Sequence, residues 1–300
     1  MSARSAIIET RFYAARTRAA EYLELTKPRV TAMVLVTTLA GYYLGAAGSF
    51  EPIVALNLLI GTALASGGTL ALNQYIERDT DAMMDRTRYR PIPDKRIDAT
   101  DAMWFGILAT GAGLGYLLLT VHWLSAVVTA AIAVSYLFAY TPLKRMSWSC
   151  NIVGAIPGAL PPVAGWAAAK GSLGLEPWLL FGIMFLWQLP HSLSIAKIYR
   201  ADYKRARLWL IPLDRDDAYP ENPLIVVSCI ILIVVGAMPT IMGFAGVAYL
   251  ITSVALGGAM LAAAVRLVRG PETAAAARRV MFTSLFYLPL VLLVMVLDRI

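Results

Sequence analysis

Two histidines and two cysteines are all the imidazole and thiol side chains that this 300-residue chain carries. Cys150 and Cys229 lie far apart, with no Cys-x-x-Cys or Cys/His spacing, so neither a disulfide framework nor a zinc site is indicated. Cys229 falls in an apolar run and reads as a small buried hydrophobe. Charge is equally scarce, at 15% of residues against 59% hydrophobic, with a mean hydropathy of +0.65. That balance cannot coat a water-soluble domain and marks an all-α polytopic integral membrane protein. No internal repeat, low-complexity tract or appended soluble domain is visible. The first 27 residues are polar and basic and contain no apolar core of a secretory leader, so the first spanning helix is expected to serve as the targeting signal.

Apolar runs of about 20 residues predict nine spans, near 30–48, 52–76, 101–120, 122–140, 151–169, 177–198, 223–245, 247–268 and 280–297. With a cytoplasmic N-terminus, all of the 26 lysines and arginines except Lys170 and Arg299 fall on the inner side. Shifting the count by one helix destroys this bias, so the topology reads N-in, C-out. Residues 1–27 form an interfacial arm in this reading, and 28–300 a single membrane domain. The net charge of +7 follows from the orientation rule and anionic lipid headgroups and calls for no nucleic-acid partner. Arg4, Arg11, Arg16 and Arg18 could mimic a mitochondrial presequence, but Glu9 and Glu21 weaken that alternative, and a bacterial inner membrane is expected.

The stretch from Asn73 to Pro91 places acids and arginines directly after an apolar run long enough to span a bilayer. On a helix, Asn73, Glu77 and Asp81 share one slowly drifting face. Two carboxylates and an amide so arranged can hold a divalent cation of the Mg²⁺ type, which keeps positions for water and substrate phosphates. Arg86, Arg88 and Arg90 follow and offer bidentate donors to phosphate oxygens. The plainer reading is a charged loop that only sets topology; the helical spacing and the Asn73-Gln74 pair inside the apolar run count against it. Asn151, Pro157, Pro161, Pro162 and Trp166 in span 5, and Gln188, Pro190 and His191 in span 6, are expected to face the bundle interior. His122, beside Trp123 at an outer helix end, reads as an interfacial anchor.

Residues Asn73, Glu77, Asp81, Arg86, Thr87, Arg90 and Pro91 resemble the first Asp-rich motif of the UbiA superfamily of intramembrane prenyltransferases. Leu25-Thr-Lys-Pro-Arg-Val30, Tyr140-Thr-Pro-Leu-Lys-Arg145 with Asn151-Ile-Val, Pro161-Pro-Val-Ala-Gly-Trp166, and Trp187-Gln-Leu-Pro-His191 with Asp202-Tyr203 are similar to its heme-farnesylating branch. The resemblance implies a nine-transmembrane-helix bundle with a central cavity open to the cytoplasmic side and laterally to lipid. It implies farnesyl diphosphate and heme b as substrates, Mg²⁺ as cofactor, and a downstream heme A synthase or oxidase assembly factor as a candidate partner.

On that footing Glu77 and Asp81 are expected to bind metal, with Asn73 as ligand or supporting donor. Arg86, Arg90 and Lys144 are expected to clamp the diphosphate. Gln188 and His191 stand where the wider superfamily has a second Asp-rich motif, and they join Arg145, Lys197 and Asp202 as candidates for the acceptor. His191 could coordinate iron, bond a propionate or position water. The chain departs from the branch at Arg207-Leu-Trp-Leu-Ile-Pro212, where Arg and Trp replace Gly and Pro and are expected to change that loop's shape. Two other readings stand beside this one. The first is a prenyltransferase acting on a quinone precursor or chlorin, which the Trp187–His191 block disfavours. The second is a non-catalytic transporter or heme-handling protein, disfavoured by the lack of a repeated half.

Overall fold

The computed structural model describes residues 17–212, 221–270 and 273–300. Residues 1–16 of the expected N-terminal arm lie outside this set. Its helices are α1 (Arg18–Leu25), α2 (Pro28–Ala46), α3 (Pro52–Asp81) and α4 (Ala99–Thr120), then α5 (Trp123–Leu143) and α6 (Cys150–Lys170). α7 (Glu176–Ile198), α8 (Arg200–Arg205), α9 (Glu221–Ile241), α10 (Val247–Arg269) and α11 (Ala274–Leu297) complete the chain. The described residues form no strand, only an isolated bridge between Ala245 and Arg299. The predicted spans fall on helices, and eight of these are long and apolar enough to cross a bilayer, namely α3 to α7 and α9 to α11. In a bilayer every backbone amide and carbonyl must be satisfied within the segment, which leaves the helix as the local solution.

Proline opens α2 and α3 at the first helical position, where its missing N–H costs nothing. α3 continues to Asp81, past the predicted end at residue 76. Its 30 residues span about 45 Å, more than the hydrocarbon core, so the helix carries its polar last turns out to the bundle's end. α9 stops at Ile241, short of the predicted residue 245, because the chain turns at Gly243 with φ +77°. α11 starts at Ala274 rather than 280, since Ala274–Ala277 are strong helix formers and Thr273 caps them by accepting from the Ala276 amide at 3.1 Å.

Two elements are irregular. α5 widens into a π-helical turn over Ser135–Tyr140, a distortion that inserts a residue into the helical register. It rotates Thr141 and Lys144 toward α3. α6 breaks at Leu160, where Pro161 and Pro162 supply no amide to the preceding turn. Both prolines, Asn151, Pro157 and Trp166 are buried, as their polar or helix-breaking character predicts. Cys229 is fully buried, as its apolar surroundings lead one to expect. His122 caps α5, its Nδ1 accepting from the Leu124 amide at 3.1 Å.

Small residues seam the helices together, since lipid gives no hydrophobic drive for helix association and close approach must supply it. α3 and α4 interlock at Gly61, Gly68, Gly106 and Gly113; a methyl group on Gly68 would stand 2.5 Å from the Thr110 amide. α2 and α6 pack backbone on backbone, so that a Cβ on Gly165 would overlap the Thr38 carbonyl and one on Gly41 the Pro162 carbonyl. The second half packs α7, α9, α10 and α11 around Tyr249, Tyr287, Cys229 and Leu232. An apolar groove of about 510 Å³ runs between α2 and α11, lined by Met33, Val36, Tyr43, Leu288, Leu292 and Leu293 among others.

The α2–α6 seam yields a direct test. Gly165→Leu should cost about 3 kcal/mol or more by overpacking, read as a lowered midpoint of thermal unfolding in detergent. A variant melting with the parent would mean that the two backbones can separate.

Candidate active site

Asn73, Glu77 and Asp81 sit one turn apart on the last turns of α3, on one face as their spacing predicts, and all three are buried. An ionised carboxylate in such surroundings needs a partner. Each polar group finds its partner in a different chain segment. Lys27 Nζ donates to Asn73 Oδ1 at 2.9 Å. Lys144 Nζ donates to Glu77 Oε1 at 2.8 Å, and Arg90 Nη1 to Asp81 Oδ2 at 2.6 Å. Asn73 Nδ2 in turn donates to Thr141 Oγ1 at 3.2 Å, which the π-helical turn of α5 brings into reach.

Lys27 and Thr141 complete this cluster from positions that sequence reasoning passed over. Both lie in blocks singled out by their motif, but a pairing across 46 or 68 residues leaves no local trace. Lys27 holds a left-handed backbone, φ +47°, between α1 and α2. Such a conformation costs a non-glycine residue about 1–2 kcal/mol and persists where surroundings impose it.

The cluster is electrostatically asymmetric. Burial and the neighbouring Arg90 push Lys27 down to about 7, with Glu77 opposing. Burial would also lower Lys144, but Glu77 at its side outweighs it and holds that ammonium well above the ordinary lysine range. Lys144 further rests 4.3 Å over the Tyr140 ring. With Lys27 protonated, three cations face two carboxylates, leaving one excess positive charge. Such a cluster is poised for an anion.

The donor set fits a hard cation of the Mg²⁺ type. Glu77 Oε2 and Asp81 Oδ1 accept no hydrogen bond among the described residues, which leaves one free oxygen on each carboxylate, one helical turn apart. No group of three or more His, Cys, Asp or Glu side chains able to hold a metal occurs among the described residues. Protein ligands alone would therefore leave most of an octahedron to water and substrate oxygens, which is the usual Mg²⁺ arrangement.

The loop after α3 is tied down at several points. Thr87 Oγ1 donates to Asp81 O at 2.8 Å. Arg96 grips Glu24 through two nitrogens at 3.0 and 3.2 Å, with Asp94 Oδ2 and Tyr89 O also in its reach. Arg86 is exposed and leans away from the acids, its guanidinium 5.3 Å over the Tyr199 ring and Nη2 3.4 Å from Tyr203 Oη. Of the expected diphosphate clamps, the structure thus gathers Arg90 and Lys144 with the carboxylates and holds Arg86 on the α7–α8 junction.

The expected acceptor residues do not form one cluster. Asp202 pairs with Arg205 within α8, and Arg205 also reaches Asp85, so this arginine links α8 to the loop after α3. Arg145 is exposed, and Lys197 lies half-buried in the last turn of α7. Gln188 donates to Gly154 O at 3.3 Å and lies over Gly158, where an added Cβ would meet its side-chain amide. His191 Nδ1 meets Ser284 Oγ at 2.7 Å.

The atypical loop keeps an ordered path. Arg207 adopts φ +52°, the left-handed region that glycine favours. The Trp209 amide donates to Lys144 O at 2.6 Å, and Asn151 Nδ2 to Leu210 O at 2.6 Å. Arg207 holds this left-handed turn at a cost in backbone strain, and the loop braces the segment that carries Lys144.

The chain matches the model of the UbiA prenyltransferase family over residues 34–286. It is 43% identical over 288 residues to a protoheme IX farnesyltransferase of Solibacter usitatus, covering 93% of this chain and 98% of the relative. It is 39% identical to one of Koribacter versatilis, covering 93% of each. Among solved structures, a digeranylgeranylglyceryl phosphate synthase superposes with TM-score 0.76 at 15% identity, over 93% of this chain and 98% of that one. A UbiA homolog from Archaeoglobus fulgidus bound to GPP and Mg²⁺ gives 0.63 at 14% identity, over 92% and 99%. At such identities the structural likeness speaks for the fold.

Two stability measurements test the site's construction. Lys144→Met strands Glu77 as an unpaired buried charge and should cost about 3–5 kcal/mol; pairing it with Glu77→Gln should recover most of that in thermal unfolding. Arg207→Gly should raise stability by about 1 kcal/mol by relieving the left-handed backbone. Loss of stability there would show that the arginine side chain, rather than the loop backbone, holds the segment.

Proposed function

Because the chain belongs to the UbiA prenyltransferase family, we propose that it transfers a farnesyl group from farnesyl diphosphate to a vinyl group of protoheme IX, with addition of water, giving heme O and diphosphate. The observation that carries this reading is the 43% identity over nearly the whole of both chains to a protoheme IX farnesyltransferase. The buried acid–base cluster at the end of α3 supplies the chemistry. A quinone precursor or chlorin as acceptor has no comparable support.

In this reading the nine helices α2 to α7 and α9 to α11 all span the membrane, around a cavity reached from the cytoplasmic side and through the groove between α2 and α11. The loop after α3, the α5–α6 turn and the segment around α8 meet at one end of the bundle, through the Asp85–Arg205 pair and the Trp209–Lys144 bond. The lysine and arginine bias makes this the cytoplasmic end, with the N-terminus inside and the C-terminus outside a bacterial inner membrane.

The residues divide the work. Lys144, Arg90 and Lys27 meet the diphosphate oxygens, releasing Glu77, Asp81 and Asn73 from their present partners. Those three would then hold Mg²⁺, which when bound would neutralise phosphate charge and improve the leaving group. A diphosphate of about three negative charges offsets the cation and the cluster's own excess together. Arg86 can swing from the Tyr199 ring to complete the clamp. The C1–oxygen bond of farnesyl diphosphate breaks with its electron pair leaving on diphosphate. The vinyl terminal carbon of the heme bonds to C1, the resulting cation takes up water, and a proton leaves. The 15-carbon tail stays in the apolar bundle, each methylene contributing up to about 0.8 kcal/mol, and the allylic cation is kept from bulk water.

Mass spectrometry of hemes extracted after incubation with heme b, farnesyl diphosphate and Mg²⁺ should detect farnesylhydroxyethyl heme. Asp81→Asn should lower its yield by at least about a hundredfold in a protein that still inserts and folds, and a chelator should do the same to the parent. Consumption of farnesyl diphosphate without a heme product would point to another acceptor. Turnover of Asp81→Asn at the parent rate would remove Asp81 from the metal site.

A further inference from the structure

Two aromatic side chains of α7 converge on one serine of α11. Trp187 Nε1 donates to the Ser284 carbonyl at 2.7 Å, and His191 Nδ1 lies 2.7 Å from Ser284 Oγ. The indole and imidazole rings stack, centroids 4.9 Å apart and planes 15° from parallel. Ser284 is fully buried, and its hydroxyl donates to Met281 O at 2.6 Å. A serine hydroxyl carries one proton. With that proton on Met281 O, Oγ can only accept from the histidine, so Nδ1 is the protonated nitrogen. Nε2 is then left with its lone pair, and it makes no hydrogen bond among the described residues. The ring is half-buried, held at one edge by Ser284 and on one face by Trp187.

This arrangement discriminates among the roles open to His191. A neutral imidazole bonding a propionate must donate its one N–H, and here that proton is already engaged by Ser284, which leaves Nε2 only a lone pair. A lone pair of fixed direction, set by a hydrogen bond at the opposite ring nitrogen, is how metal-ligating histidines are built, where the outer partner fixes tautomer and ring orientation. Transient proton acceptance from water needs no such double restraint.

We propose that Ser284 is a positioning residue that holds His191 with Nε2 toward the acceptor, as the axial ligand of the acceptor's iron. This rests on the reading that the acceptor is a heme. The serine side chain acts through the histidine alone, because Trp187 bonds the Ser284 backbone and keeps that bond in any substitution at 284.

The test uses the full chain in detergent, titrated separately with ferric heme b and with metal-free protoporphyrin IX, and followed by absorption and electron paramagnetic resonance. The parent should favour the iron porphyrin by about tenfold or more and give the signature of nitrogen-ligated iron. His191→Ala should lose both the preference and the signature, and added free imidazole should restore the signature, which separates lost ligation from lost fold. Ser284→Ala should weaken the preference by about tenfold and broaden the signature while melting near the parent; Ser284→Thr, which keeps the hydroxyl, should recover both. Equal binding of the two porphyrins by the parent, or a Ser284→Ala protein with the parent's spectrum and preference, overturns the proposal. If those results come with normal production of farnesylated heme, the proposal for His191 and Ser284 falls and the heme reading stands. If neither porphyrin binds and no farnesylated heme forms, the heme reading falls with it.

Discussion

Two carboxylates buried at the end of an apolar helix must be neutralised where they stand, and most of the polar end of this molecule is organised by that requirement. Glu77 and Asp81 draw Lys144 from the α5–α6 turn and Arg90 from the loop after α3, and Asn73 draws Lys27 from the α1–α2 junction. The two lysine bonds close 46 and 67 residues of chain onto α3, and the Arg90 bond closes the loop that follows it. The bonds that close this end of the fold are therefore the same bonds that assemble the site. A buried pair contributes little net stability but is costly to break, so the arrangement holds its shape; in the proposed function an anion and a cation together would replace the internal partners.

Packing divides into stiff and open seams. Where α3 meets α4 and α2 meets α6, glycine permits contact so close that an added methyl group has no room. Such seams fix the position of α3 and hence of the acids it carries. Between α2 and α11 the side chains instead leave an apolar groove. An amphiphilic substrate with a long hydrocarbon tail and a charged head needs both: a lateral apolar path for the tail and a rigid polar end for the head.

Much of this was legible in the residues. The spans follow from apolar length because a bilayer allows few alternatives, and the shared face of Asn73, Glu77 and Asp81 follows from helical spacing once α3 is taken past residue 76. The partners were not legible. That Lys144 pairs with Glu77 depends on a π-helical turn over Ser135–Tyr140, whose Tyr-rich sequence reads as ordinary helix. That Lys27 reaches Asn73 depends on a left-handed backbone at a lysine, which sequence statistics would assign to glycine. Arg207 repeats the lesson: its left-handed backbone is a conformation that an arginine in the sequence does not announce.

The composition of the cluster also bears on the order of events. Each carboxylate already has one oxygen satisfied by a cation, and no third acidic or imidazole ligand stands nearby among the described residues. A divalent cation entering alone would add charge to a cluster that is already positive when Lys27 is protonated, and would find few ligands. A diphosphate entering alone would meet the cations but leave the two carboxylates competing for them. Neither is favoured singly; under the proposed function they would exchange partners together, with phosphate oxygens taking the lysines and arginine and the acids taking the metal. Recognition of the prenyl donor and assembly of the metal site would in that sense be one binding event, with the buried ion pairs holding the site's charge in balance until it occurred.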